Sequence, residues 1–172
     1  RRMNTTPTPS SAAADFDFLV GTWSTHQRRL KKRLQHGDDW ETFDATVTMH
    51  KLPGGTANFD TMIAPAWRPG WTGMTLRIFN PTTNLWSIFW FTNDGGGIDA
   101  KTGRLEPPVV GRFEGDEGVF EGDDTFDGRP IRVRYRWTRL GADAARWQQS
   151  FSPDGGRTWE LNWLMEFSRV AA

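Results

Sequence analysis

Apolar and polar residues alternate along short runs of the chain, and turn-forming residues separate these runs. In residues 131–137 the odd-numbered positions are apolar or aromatic and the even-numbered positions are Arg. Residues 159–167 repeat the pattern, with apolar or aromatic residues at every odd-numbered position. A period of two places successive side chains on opposite faces of a β-strand. Both runs are therefore predicted to be strands with one buried and one exposed face.

Runs of this kind make up the chain after Phe16, and helix signals are nearly absent. Gly, Pro, Asn and Asp lie between the runs and suit tight turns. The predicted strands cover residues 22–34, 40–52, 57–63, 74–79, 85–92, 109–114, 118–125, 131–140, 146–151 and 158–169.

Strands joined by such short turns pair with their neighbours in antiparallel fashion. An open sheet of about ten strands would leave two exposed edges, and closing it into a barrel removes them. The sequence therefore predicts an all-β fold, a single up-and-down antiparallel β-barrel of about ten strands. Residues 15–172 form this one domain, with a short lead-in turn, and residues 1–14, rich in Thr, Pro, Ser and Ala, form a flexible tail.

Composition adds a cavity to this picture. The chain has 10 Trp and 12 Phe but 1 Tyr, and a barrel of eight or more strands is wide enough to hold a small ligand. Aromatic side chains pointing inward would line an apolar pocket, and Arg77, between two aliphatic residues, would be its internal cation. The candidate ligand-binding residues are Arg77, Trp86, Trp90, Tyr135, Trp137, Trp147 and Trp163.

Charge and residue usage exclude other classes. The 21 basic and 21 acidic residues balance, which argues against nucleic acid as a partner. The chain has no Cys, and its three His are not spaced as metal ligands, so no metal or cofactor is expected. No apolar run is long enough to span a membrane, and no secretory signal is evident, so a cytoplasmic location is expected. Residues 85–91 are apolar on both faces, which suggests cover by the ordered tail or by a partner subunit in a homodimer.

Three segments resemble a known superfamily. Residues 15–23 end in Gly21-x-Trp23, residues 109–115 read Val-Val-Gly-Arg-Phe-Glu-Gly, and residues 159–167 read Trp-Glu-Leu-Asn-Trp-Leu-Met-Glu-Phe. Together they resemble the calycin barrels, which include lipocalins, fatty-acid-binding proteins and nitrobindin, and more closely a bacterial family of uncharacterised calycin-like domains. The resemblance implies that Trp23 packs across the barrel floor, with Arg169 stacked on it.

Other features of these families do not carry over. Nitrobindin holds haem through a late His, whereas this chain has none after His50. The Arg-x-Tyr pair of fatty-acid-binding proteins is also missing, because Arg134 and Arg136 lie on the opposite strand face from Tyr135. Residues 152–159 resemble the Asp-box hairpin motif, which makes Asp154 a turn residue.

Two functions remain open, binding of a small apolar or aromatic molecule in the cavity and a cofactor-independent isomerase, cyclase or lyase acting there. The candidate acids and bases for catalysis are His26, Glu114 and Glu166. A third possibility is an interior filled by its own side chains. A cavity of about 300 Å³ or more would exclude that possibility.

Overall fold

A computed structural model describes residues 11–172. Residues 1–10, most of the predicted tail, lie outside the described residues. Within the described range, ten strands form a closed antiparallel barrel in which each strand pairs with the next and β1 pairs with β10. The strands are β1 Gly21–Leu30, β2 Trp40–Lys51, β3 Ala57–Ile63, β4 Thr72–Asn80, β5 Leu85–Thr92, β6 Val109–Glu114, β7 Glu117–Phe126, β8 Arg129–Arg139, β9 Ala144–Ser152 and β10 Glu160–Arg169. The predicted fold class is confirmed.

Several strand ends differ from the prediction by one or more residues, and two of the differences have a local cause. β1 stops at Leu30, because Leu34 and His36 have positive φ angles of 57° and 55° and turn the chain. β10 starts at Glu160 rather than at residue 158, because the backbone N–H of Thr158 donates to the Asp154 carboxylate in the preceding hairpin. Neither turn could be located from apolar alternation alone.

The lead-in segment closes one end of the barrel. Residues Ser11–Ala14 and Asp17–Leu19 form two short 3₁₀ helices, so residues 11–14, assigned to the tail from the sequence, are ordered against the barrel. Phe16 is fully buried, and its ring centroid lies 5.0 Å from those of Trp86 and Phe113. The indole N–H of Trp86 donates to the carbonyl of Ala12 at 3.2 Å. This end of the barrel, the floor, is filled with packed rings.

Trp23 and Arg169 fasten the floor as the family resemblance implies. Trp23 is fully buried, and its indole N–H donates to the carbonyl of Leu19 at 2.9 Å. The Arg169 guanidinium lies 4.2 Å from the Trp23 ring centroid and donates to the carbonyls of Val20 at 2.7 Å and Phe18 at 2.6 Å. One side chain from the last strand thus holds the segment before the first.

The outer surface divides into a charged part and an uncharged part. On β7 and β8, Arg132 and Arg134 pair with Glu121 at 3.2 and 2.8 Å. The outward positions of the described β3, β4 and β5 carry no charged residue; they are Ala57, Phe59, Thr61, Ile63, Thr72, Met74, Leu76, Ile78, Asn80, Leu85, Ser87, Phe89 and Phe91. Residues 11–19 pack on inward-facing rings and do not cover this uncharged outer face.

Candidate ligand-binding cavity

At the end opposite the floor, the barrel is open to solvent, and a cavity extends from this opening into the interior. A mouth of about 480 Å³ lies between the strand ends. A narrower inner chamber of about 50 Å³ extends towards the floor. The two spaces share Trp90, Tyr135, Gln149 and Trp163 as lining residues, so the chamber lies directly beneath the mouth.

The volumes of the mouth and the chamber show how much of the interior is filled by side chains. The mouth falls within the range of about 300–1,000 Å³ typical of small-molecule pockets. The chamber alone is far smaller, with room for a few water-sized groups. The barrel is therefore filled by its own side chains near the floor and open in its upper part.

Aromatic rings follow one another from the chamber to the mouth. Neighbouring ring centroids are 3.9–6.2 Å apart, and most of the pairs meet edge to face, a favourable geometry for aromatic side chains. The series runs through Tyr135, Trp147, Trp163, Trp90, Trp71, Trp67 and Phe43. A flat apolar molecule would meet aromatic surface at every depth of the cavity.

Six of the seven predicted ligand-binding residues line this space. Arg77, Tyr135, Trp137 and Trp147 line the inner chamber, and Trp90 and Trp163 line both chamber and mouth; Tyr135 reaches the mouth as well. Trp86 shares the inward face of β5 with Trp90 but lies nearer the floor, where it packs on Phe16 and Phe79. It does not line either space.

The three candidate catalytic residues lie on the outside of the barrel. His26 is exposed, and its Nδ1 is 2.8 Å from the Asp44 carboxylate. Glu114 is exposed and lies 3.3 Å from Arg112, and Glu166 pairs with Arg146 at 2.8 Å. Each occupies the strand face opposite the inward residues, so none of the three side chains reaches the cavity.

The chamber contains a buried ion pair of which only the cation, Arg77, was predicted from the sequence. Arg77 and Asp60 are 2.7 Å apart, with side chains 3% and 6% exposed. The guanidinium also donates to Asn58 at 3.0 Å and faces the rings of Phe16 and Trp137 at 5.0 and 5.6 Å. Asn58 and Asp60 are both inward on β3, and Asn58 is in register with Arg77 on β4. The sequence signal for this pair was the spacing of Asn58 and Asp60, which places two polar side chains on the same inward face of β3.

Two hydroxyl groups and the Gln149 amide are the other polar groups of the chamber lining. Thr75 and Tyr135 line the chamber, and within residues 11–172 neither hydroxyl has a hydrogen-bond partner. Burial, with a smaller effect of the nearby Asp124, raises the pKa of the Tyr135 phenol above its ordinary value. Burial also raises the pKa of the Asp124 carboxyl, which lines the mouth. The phenol therefore remains protonated at neutral pH and can donate as well as accept.

Arginines stacked on aromatic rings surround the mouth. Arg29 lies 5.2 Å from the Trp163 ring and pairs with Glu41 at 3.0 Å, and burial lowers its pKa. Arg68 lies 4.1 Å from the Trp67 ring. Arg33 lies 5.7–5.9 Å from three rings, those of Phe126, Phe151 and Trp163. All three of these arginines line the mouth.

The hairpin that resembles an Asp-box lies away from the cavity and has the expected local bonds. Asp154 accepts from the Thr158 hydroxyl at 2.6 Å and from the Ser152 hydroxyl at 2.8 Å. These bonds, that from Thr158 first, lower the pKa of Asp154 to about 2. Asp154 is a turn residue, and Trp159 packs there with its N–H on the carbonyl of Gly156.

Comparison with known proteins does not assign the chain to a family. The chain matches no protein-family model, and no curated protein sequence matches it. The closed ten-stranded barrel agrees with a calycin-like fold, while the closer resemblance to one bacterial family stays a prediction. In the range 11–172, no helix is long and apolar enough to cross a membrane. The same residues hold no cluster of three His, Asp or Glu suited to a metal ion.

Proposed function

We propose that the barrel binds a small apolar or aromatic molecule, which enters through the mouth and reaches the inner chamber. The floor is closed by the lead-in segment, so the mouth is the route that the described residues leave open. Binding requires no catalytic group, and the acids and bases suggested by the sequence lie outside the cavity.

The observation that carries the proposal is the aromatic lining of a space that opens to solvent. Seven of the 10 Trp line the mouth or the chamber, although closed packing of the same rings would bury more area. Apolar surface removed from water stabilises a complex by about 25 cal/mol per Å². A ring in the cavity that packs against Trp90 and Trp163 would gain this term from its contact with both.

Ligand titration monitored by Trp emission tests the proposal. A panel of aromatic and aliphatic alcohols, ketones, amides and acids is added to the full chain, and each positive result is repeated by calorimetry. We expect saturable changes in emission with several aromatic members. Unchanged emission and no heat across the whole panel would refute ligand binding.

Two matched variants locate the signal. Trp163→Phe removes an indole shared by chamber and mouth and should weaken binding and reduce the ligand-dependent change. Trp159→Phe makes the same substitution beneath the outer hairpin and should leave the affinity unchanged. Equal effects of the two variants would place the bound molecule outside the cavity.

A further inference from the structure

We propose that the deep end of the cavity selects an uncharged polar group on its apolar ligand and excludes a carboxylate. The inference rests on the proposed binding function and adds the chemical class of the ligand. It depends on the pairing of the one buried cation in the chamber lining, Arg77, with Asp60.

The charge of Arg77 is already compensated inside the protein. One guanidinium nitrogen serves both Asp60, at 2.7 Å, and Asn58, at 3.0 Å. The faces of Phe16 and Trp137 lie against the same group. Its Nε is buried and has no hydrogen-bond partner in the structure. Asp60 and Asn58 engage only Nη1, so the N–H groups of Nε and Nη2 remain available as donors. The ion pair as a whole is neutral, and these donors belong to a compensated charge rather than to an unpaired one.

The other polar groups at this depth are also neutral. The hydroxyls of Thr75 and Tyr135 can each donate and accept a hydrogen bond, and both side chains line the chamber. The elevated pKa of Tyr135 keeps its proton in place at neutral pH. An alcohol, ketone or amide can bond with such groups without bringing a charge into the barrel.

A carboxylate in the same place would lose its hydration without gaining a free counter-charge. Moving an ionised group into an apolar interior is costly unless it is paired. Asp60 lies within the lining and Asp124 near its upper end, and both would repel a second anion. The arginines of the mouth, Arg29, Arg33 and Arg68, do not line the chamber, so none of them offers a counter-charge at this depth.

A matched pair of probes tests the inference on the unmodified chain. The probes are 3-phenylpropan-1-ol and 3-phenylpropanoate, which differ in the oxidation state and charge of one terminal carbon. We expect calorimetry at neutral pH to show the alcohol binding at least about tenfold more tightly. A carboxylate that binds as tightly as the alcohol, or more tightly, would overturn the inference.

The variant Asp60→Asn should reverse the preference, because it removes the counter-charge and leaves Arg77 free to pair with the ligand. We expect the carboxylate to gain at least about tenfold relative to the alcohol. Asp44→Asn, the same substitution at the exposed partner of His26, should leave the ratio unchanged. A ratio that Asp60→Asn does not move would overturn the inference.

Removing one member of a buried pair destabilises a protein, so the double variant Asp60→Asn/Arg77→Gln supplies a second measurement. It replaces the ion pair with two neutral amides and should keep the preference for the alcohol. Loss of that preference would contradict the assigned role of the pair. If no member of the wider panel binds the unmodified chain, the proposed function itself fails, which is a different result from a reversed preference.

Discussion

Replacing Arg169 with Met should destabilise the whole barrel, although Arg169 lies near the end of the chain. The guanidinium donates to two backbone carbonyls of the lead-in segment, at 2.6 and 2.7 Å, and stacks 4.2 Å from the Trp23 ring. Met keeps most of the aliphatic length and removes every one of these contacts. The carbonyls of Phe18 and Val20 then lose their charged donor.

The expected loss can be worked from these contacts. A hydrogen bond to a charged group contributes about 1.5–3 kcal/mol, and the lower value applies because the Arg169 side chain is 28% exposed. A cation–π contact adds about 1 kcal/mol at such a site. We therefore expect a loss of about 4 kcal/mol in the free energy of unfolding, or a decrease in Tm of about 10 °C for a chain of this size.

Urea denaturation and thermal scans of purified variants measure this loss. Arg28→Met is the matched control, because Arg28 is exposed and lies 5.1 Å from the Trp40 ring on the outer surface. Arg169→Lys keeps the charge but not the two-pronged donor, so its stability should fall between those of the original chain and Arg169→Met. If Arg169→Met destabilises the chain no more than Arg28→Met does, the fastening role of Arg169 is refuted.

Three further predictions concern other parts of the molecule. Asp154 has a folded pKa of about 2 against 3.8 ordinarily, so its stabilisation is complete above pH 3.8 and is lost as pH falls towards 2; Asp154→Asn should flatten the dependence of Tm on pH in that interval. Gly111→Ala places a Cβ against the carbonyl oxygen of Val119 and should cost several kcal/mol by denaturant titration, whereas Gly37→Ala, which meets open space, should be neutral. The uncharged outer face of β3, β4 and β5 predicts a weak dimer of two copies packed through it, so Phe89→Lys should reduce the dimer seen by sedimentation velocity and Val119→Lys on β7 should not.

The apolar alternation was sufficient to predict the barrel because most strands obey it along their length. β10 departs from it at a bulge, where Leu161, predicted to point inward, is 38% exposed and Asn162 is buried instead. Side-chain direction follows the same rule: once Trp23 is buried, His26 must point outward on the same strand. Depth along the barrel does not follow from alternation. Trp86 and Trp90 share one face of β5, yet the first meets the lead-in segment and the second the cavity, because depth depends on where the floor segment packs.

The internal ion pair is a second feature that could be predicted only in part from the sequence. Arg77 could be recognised as an inward cation from its aliphatic neighbours. Its partner Asp60 comes from another strand, through the pairing register of β3 with β4. A register shift of one residue would turn Asp60 outward, and the chamber would then contain an uncompensated cation. The proposed ligand class thus depends on a feature that tertiary pairing determines.

The division of the Trp residues links stability to binding. Trp23 and Trp86 are fully buried with the floor, where the lead-in segment and Arg169 hold the rings together. Trp163 meets both Trp90 and Trp147 edge to face, and all three rings line open space. Because each barrel strand contributes to both ends, a rigid floor fixes the spacing of the rings above it. A guest of the kind proposed, packed against those rings, would therefore meet a preorganised site, and less of its binding energy would be spent on ordering the protein.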